Sequence, residues 1–372
     1  MLKLLPIFLI CMALAYISDR NSIYDNNNQV YVRKEKILFF ILVIIMICFA
    51  GLRVRYNDTA TYIASYQKLK ISGNILKDID WRIGSNPGFQ FGNLLMKAIG
   101  LSSNSFIMIY SIITEGLFLW FIRKYSNNFT LSILVFFTGG LYLFSFAALK
   151  QCVAIAIALI GVDRAINKKW LQYIIWVLIA TLFHTYALMF LVVPFIMFVP
   201  WTKKTYYMLV LFAAAGISFQ LLIGRILDVT SLLGEDYDPN SFVGEGVNIF
   251  RLLVAWAPII LAFMARKHIK MSDDKSAHLI LNLSMINAEI MLVARFGTAF
   301  YLARVAYYFS IFQVITIPWL LKFYTQESQK FIKIFIIIGF LGFAYYAYGM
   351  NRSFDVMYDS ISIWEYLNNI FV

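Results

Sequence analysis

Charge is scarce in this chain. Asp, Glu, Lys and Arg make up 14% of its 372 residues, where a soluble domain carries about a quarter. With 61% of the residues hydrophobic, that excludes an ordinary cytoplasmic enzyme, a disordered protein and a secreted module. Cysteine is as sparse: Cys11, Cys48 and Cys152 lie far apart inside apolar stretches without CxxC spacing. Neither a disulfide framework nor a zinc site follows from them. GxxxxGK[ST], HExxH, GxSxG and a GxGxxG in a usable context are missing, so an ATP-driven pump, a zinc protease and a serine hydrolase lack support. No repeat of twenty to fifty residues occurs, and the two halves do not resemble each other as they do in many transporters. Acidic residues number 20 against 32 basic ones, a net charge of +12. Nucleic acid would need a basic stripe on a soluble element, and there is none; cytoplasmic loops that collect Lys and Arg account for the excess.

What remains is apolar and aromatic. Phe, Tyr and Trp reach 17%, and the apolar runs have helical length, whereas a membrane β-barrel would show segments of about ten alternating residues. The expected fold is all-α: one polytopic integral membrane domain over residues 1–372, with about twelve transmembrane helices and ten to twelve as the range. The spans read as 2–17, 37–52, 105–122, 129–146, 150–166, 170–183, 185–199, 205–223, 251–265, 277–293, 301–321 and 331–348. The first is expected to be a retained helix rather than a cleaved signal, since it offers no convincing small-residue cleavage site.

The stretch 170–199 is the ambiguous one: about thirty apolar residues broken by His184, Thr185 and Pro194. Charge resolves it. Six basic clusters hold 18 of the 32 basic residues, and both Lys168–Lys169 and Lys203–Lys204 belong among them. If both pairs are inside, the segment between them crosses an even number of times. Two spans, or a re-entrant hairpin with its tip at His184, satisfy this. The outer face then holds the 53–104 loop, the 147–149 turn, the His184 turn, the acidic 224–250 loop, the 294–300 turn and the tail 349–372. Two outer segments read as amphipathic helices lying on the membrane: Tyr62, Ile63, Tyr66 and Leu69 share one face, and Phe354, Met357, Tyr358, Ile361 and Phe371 another.

Polar groups gather at the outer ends of spans. His184 has an ordinary pKa near 6.5 and is suited to proton transfer, or else to a carbonyl bond at a helix break. Lys150-Gln151 opens a span, where a cation holds phosphate or snorkels to the interface. Arg295 and Arg304 bracket an outer turn against the positive-inside bias, which asks for an anionic partner. In Arg53-Val-Arg55-Tyr-Asn-Asp58, the arginines suit headgroups or a ligand pyrophosphate, and Asp58 suits either a helix N-cap or a ligand contact. Glu115 and Glu289 fall within spans and read as members of buried structural pairs.

These residues carry a resemblance. Leu52-Arg53…Asp58…Tyr62, then Leu149-Lys150-Gln151-Cys-Val-Ala-Ile-Ala, then Ala180…Phe183-His184-Thr-Tyr-Ala-Leu, and Arg304…Tyr308-Phe309…Pro318 follow one another as in the EpsG/Wzy family of bacterial polysaccharide polymerases, which the chain resembles over most of its length. Such proteins more often have Arg-Gln at Lys150-Gln151; Lys keeps the charge without the planar fork. The resemblance implies a membrane glycosyltransferase of GT-C-like architecture in the bacterial cytoplasmic membrane, with its active site facing the periplasm or exterior. Its substrates would be undecaprenyl-pyrophosphate-linked oligosaccharides, joined into O-antigen, capsule or exopolysaccharide. His184 is then the candidate base and Arg304 its catalytic partner. Arg53, Arg55, Asp58, Lys150, Gln151, Arg295 and Tyr308 are the candidate substrate-binding residues. Neither cofactor nor metal is expected, because cations can neutralise the leaving group. The implied partners are the lipid-linked sugars, membrane lipids, a chain-length regulator and a flippase, with no nucleic acid. A flippase or transporter of the same lipids is the first competing function, and a membrane O-acyltransferase the second.

Overall fold

The computed structural model describes residues 2–25, 30–218, 225, 228–229, 246–296 and 299–371. The acidic 224–250 loop lies mostly outside them. The chain is helical along most of its length, as an apolar sequence must be in lipid, where helices satisfy every backbone polar group internally. Among the described residues four helices are long and apolar enough to cross a membrane: Ser103–Tyr125, Lys275–Phe296, Leu302–Phe323 and Gln326–Gly349. A helix of 23 residues rises about 35 Å, against a hydrocarbon core of about 30 Å. The chain is thus a polytopic helical membrane protein. The pair Phe129–Thr138 and Leu141–Ala147, bent by 47°, is a broken span or a re-entrant loop. The sequence reads 129–146 as one span, but Gly139-Gly140 interrupts it, and Gly140 takes a positive φ of 87° that a side chain would resist. A count near twelve draws on shorter apolar helices as well, among them Ile37–Gly51, Trp170–Phe183, Thr185–Ile196 and Ile249–Met264.

Helix Leu149–Ile166 is the centre of the bundle, with every residue from Cys152 to Leu159 buried. Its Ala154, Ala156, Ala158 and Gly161 keep the surface low, so the Trp170–Phe183 helix packs directly on it. A Cβ at Gly161 would lie 3.2 Å from the Tyr173 carbonyl oxygen. Close packing of small residues is how helices adhere in lipid, which gives them no hydrophobic reason to associate.

The 170–199 stretch breaks at His184, whose backbone is extended (φ −157°, ψ 121°). The chain then returns as a 3-10 segment, Thr185–Ile196. Tyr173 Oη donates to the Phe190 carbonyl at 2.7 Å, which ties the two arms into a hairpin with His184 at its tip. Asn282, buried in the Lys275–Phe296 helix, donates to the carbonyls of Ile196 and Phe198 at 2.8 and 2.9 Å. Those oxygens have lost their helical partners, and an unpaired carbonyl in apolar surroundings costs several kcal/mol.

In the two segments expected to lie on the membrane, Tyr66, Phe354 and Tyr358 are buried in the protein, while Met357 and Phe371 are exposed. Tyr66 of helix Thr59–Lys68 is buried, stacks on Phe106 with ring centroids 4.6 Å apart and donates to the Leu101 carbonyl. Phe354 and Tyr358 of the tail stack on Phe49. The tail is held further by strand Asp359–Ser360, which pairs antiparallel with Arg53–Arg55. Periodicity marks such a face as apolar without saying what covers it.

Candidate active site

Four elements meet at the His184 end of the bundle. The first is the N-terminus of helix Leu149–Ile166, whose opening amides lack helical partners. The Lys150 amide finds one in the Tyr62 hydroxyl, so helix Thr59–Lys68 seals that end. The second is helix Ala299–Leu320; Gln151 Nε2 donates to the Arg304 carbonyl at 2.6 Å and holds the two together. The third is the hairpin tip, where Tyr308 Oη lies 2.7 Å from His184 Nδ1. The fourth is the turn before Thr59, where Asn57 takes a positive φ of 43°, a conformation Asn tolerates, and Asp58 follows.

Asp58 occupies the N-cap position of its helix, but its side chain makes no cap bond. It points instead to Arg304, Oδ2 to Nη2 3.8 Å, with both side chains nearly half exposed. Of the two readings open to Asp58, the structure gives it the N-cap position without the side-chain bond. His184 sits beside two cations. Burial, then the charges of Lys150 and Arg304, push its imidazole well below the usual range and hold it neutral. It lies at the turn, outside either apolar arm. In a neutral imidazole one nitrogen donates and the other accepts, so Nε2 is open to a proton when Nδ1 donates to Tyr308.

The sequence candidates thus divide. His184, Tyr308, Arg304, Asp58, Lys150 and Gln151 come together. Arg53 does not belong to that group. It is 2% exposed, and its guanidinium donates to the Ala50 carbonyl, to Ser111 Oγ at 3.0 Å and to Thr59 Oγ1 at 3.2 Å. Thr59 in turn donates to the Phe146 carbonyl at 3.2 Å, and the guanidinium lies over the Phe146 ring. Arg53 therefore fixes the residue after Asp58 to the segment before Lys150, and it is a brace rather than a clamp. Arg55 is exposed and donates to the Val356 carbonyl at 2.9 Å, fastening the tail. Arg295, exposed at the end of helix Lys275–Phe296, borders a hollow with Gly246–Ile249. Glu115 is buried, accepts from Ser145 and feels the charge of Arg53, as a structural carboxylate should. Glu289 is buried, and its Oε2 has no hydrogen-bond partner among the described residues.

Two contributors escape a reading of the sequence. Gly88 lies at the start of helix Pro87–Ala98, and a Cβ there would come within 2.8 Å of the Leu182 Cβ. That close approach, with Thr185 Oγ1 donating to the Ile83 carbonyl at 3.1 Å, clasps the hairpin tip. A Pro-Gly pair is the available signal, but it marks any turn. Arg251, two residues into helix Ile249–Met264, bonds Tyr307 at 2.5 Å. An arginine at the start of a span reads by default as an interfacial anchor.

The model of the EpsG family matches residues 36–368. No curated protein and no solved structure matches the chain.

Proposed function

Because the chain belongs to the EpsG family, and so is a membrane protein of polysaccharide-polymerase type, we propose that it joins lipid-linked oligosaccharide repeat units by glycosyl transfer. The reading places it in the bacterial cytoplasmic membrane, with the His184 end outward, about twelve crossings and a GT-C-like arrangement. The donor is a sugar chain on undecaprenyl pyrophosphate, so its anomeric bond is already activated. The acceptor hydroxyl oxygen attacks the anomeric carbon while the bond from that carbon to the pyrophosphate oxygen breaks. His184 takes the hydroxyl proton, and the departing charge is met by Arg304 and Lys150.

One observation carries this reading: His184, bonded to Tyr308, lies within reach of the charges of two cations, Lys150 and Arg304, at one end of the bundle. If the Nδ1 proton is donated to Tyr308, Nε2 presents its lone pair to the acceptor. Asp58 orients Arg304 through their ion pair. A chain-length regulator and a flippase are the protein partners the reading implies. Deleting the gene and examining lipid-linked glycans tests it. Single repeat units displayed outside support a polymerase. Units trapped inside support a flippase, and full-length chains lacking acetyl groups support an acyltransferase.

A further inference from the structure

Arg251 stands at the start of helix Ile249–Met264, partly buried. Its Nη2 donates to Tyr307 Oη at 2.5 Å, its guanidinium carbon lies 5.3 Å from the centroid of the same ring, and it also bonds Tyr348. Tyr307 is itself clamped: Phe144 stacks flat on it, centroids 3.7 Å apart and planes 8° from parallel. Tyr348 belongs to a π-helical turn, Tyr345–Gly349, a form that concentrates at functional sites. Its hydroxyl occupies the space a side chain at Gly140 would need, since a Cβ there would lie 2.0 Å away. So the guanidinium is fixed by two phenols, one stacked and one lodged against a glycine. Among the described residues no carboxylate pairs with Arg251. Its partners here are phenols, which bond the guanidinium without neutralising its charge.

Place makes the reason specific. Tyr307 precedes Tyr308, the partner of His184, and lies three residues after Arg304. On a helix that spacing sets neighbouring side chains about 5–6 Å apart at Cβ. Tyr56, two residues before Asp58, is close enough to Tyr307 to interact with it electrostatically. Tyr307 therefore stands between the Arg304 site and Arg251. Resting on the function proposed above, we infer that Arg251 is a third cation of the donor site, whose counter-charge is the pyrophosphate of the lipid-linked donor. Its planar fork also supplies the bidentate grip that Lys150 lacks.

The test uses the full-length protein in detergent, with inorganic pyrophosphate as the probe in titration calorimetry and lipid-linked repeat units for turnover. Arg251→Gln is expected to weaken pyrophosphate binding by tenfold or more and to raise the donor KM. Arg251→Lys should recover only part of the loss, and Tyr348→Phe, which keeps the ring, should weaken binding severalfold. Arg304→Gln serves as the reference. If Arg304→Gln loses pyrophosphate while Arg251→Gln binds it as the wild type does, the inference is overturned and the function stands. If Arg251→Gln fails to fold and Arg251→Lys has a lower melting temperature but unaltered affinity per folded molecule, the role is structural and the inference is again overturned. If the wild type neither binds pyrophosphate nor forms polymer, the function falls with it.

Discussion

Tyr308 Oη and His184 Nδ1 meet at 2.7 Å across the junction of the hairpin tip and helix Ala299–Leu320. Because Tyr308 is fully buried, the ring of His184 has one orientation to adopt, and its Nδ1 is committed to the phenol. In the proposed reaction, with Nδ1 donating to the phenol, proton transfer falls to Nε2. The same bond converts the position of one helix into the orientation of a side chain on another segment.

The first prediction separates the base from its holder. His184→Ala should lower turnover by about 10²–10⁴-fold, the usual cost of losing a general base, while the donor lipid still binds. Tyr308→Phe keeps the packed ring and removes only the hydroxyl, so a smaller loss in kcat, about tenfold, with KM near the wild-type value is expected. Chain-length distribution and donor affinity in the same membranes read both. Unaltered chain length in His184→Ala would show that the proton goes elsewhere.

The second concerns pH. Burial, Lys150 and Arg304 all lower the imidazole pKa, so the free protein keeps His184 neutral as pH falls through the ordinary value near 6.5. Protonation disables a base, and the kcat/KM profile, which reports the free enzyme, should therefore hold flat from pH 8 to below 6.5. Donor pyrophosphate offsets the two neighbouring cations, which raises the imidazole pKa in the complex. The acid limb of kcat should then lie at higher pH than that of kcat/KM. Coincident limbs would argue against pyrophosphate binding beside His184.

The Asp58–Arg304 pair is nearly half exposed on both sides, where such pairs contribute about 0–1 kcal/mol to stability. Asp58→Asn should leave the melting temperature within about a degree or two of wild type while lowering turnover, because the orientation of Arg304 is lost rather than a structural tie. A large drop in melting temperature with turnover intact per folded molecule would make Asp58 a structural residue.

Much of this site was legible before any coordinates. Long apolar runs and the rule of basic loops placed His184, Lys150, Asp58 and Arg304 at one face, because each stands at the end of an apolar run and lipid tolerates charge only there. Charge parity around 170–199 likewise implied a turn at His184. What stayed hidden depends on partners far away in sequence. Arg53 and Arg55 are two residues apart, a spacing that sets both on one face of a regular strand, but the pairing register shifts between them, and one is buried against Ser111 while the other is exposed and bonded to the tail; without the pairing the shift is invisible. The apolar faces around Tyr66 and Phe354 look the same whether lipid or protein covers them. Glycines 88 and 140 disclose their purpose only through Leu182 and Tyr348.

Sidedness gives a fourth prediction. The break at His184 returns the chain toward Thr202–Lys204, on the side of Lys168–Lys169. A single cysteine at 203 should resist membrane-impermeant reagents added from outside, whereas one at 355 in the outer tail should react. Strong outside labelling at 203 would remove the two-crossing hairpin.

Arg53 supplies the last. Its guanidinium braces Ala50, Thr59 and Ser111, and Thr59 carries the brace on to Phe146. Removing a buried cation that donates to three acceptors leaves them unsatisfied, at about 1–3 kcal/mol for each. Arg53→Met should therefore lower the melting temperature by several degrees and reduce the yield of folded protein. Arg53→Lys keeps the charge but cannot reach three acceptors in different directions, so it should recover only part of the stability. If Arg53 is a brace, the protein that does fold will bind pyrophosphate with an affinity near wild type, unlike Arg304→Gln. A selective loss of pyrophosphate binding at an unchanged melting temperature would return Arg53 to the ligand-binding set and require the outer end to open enough to expose it.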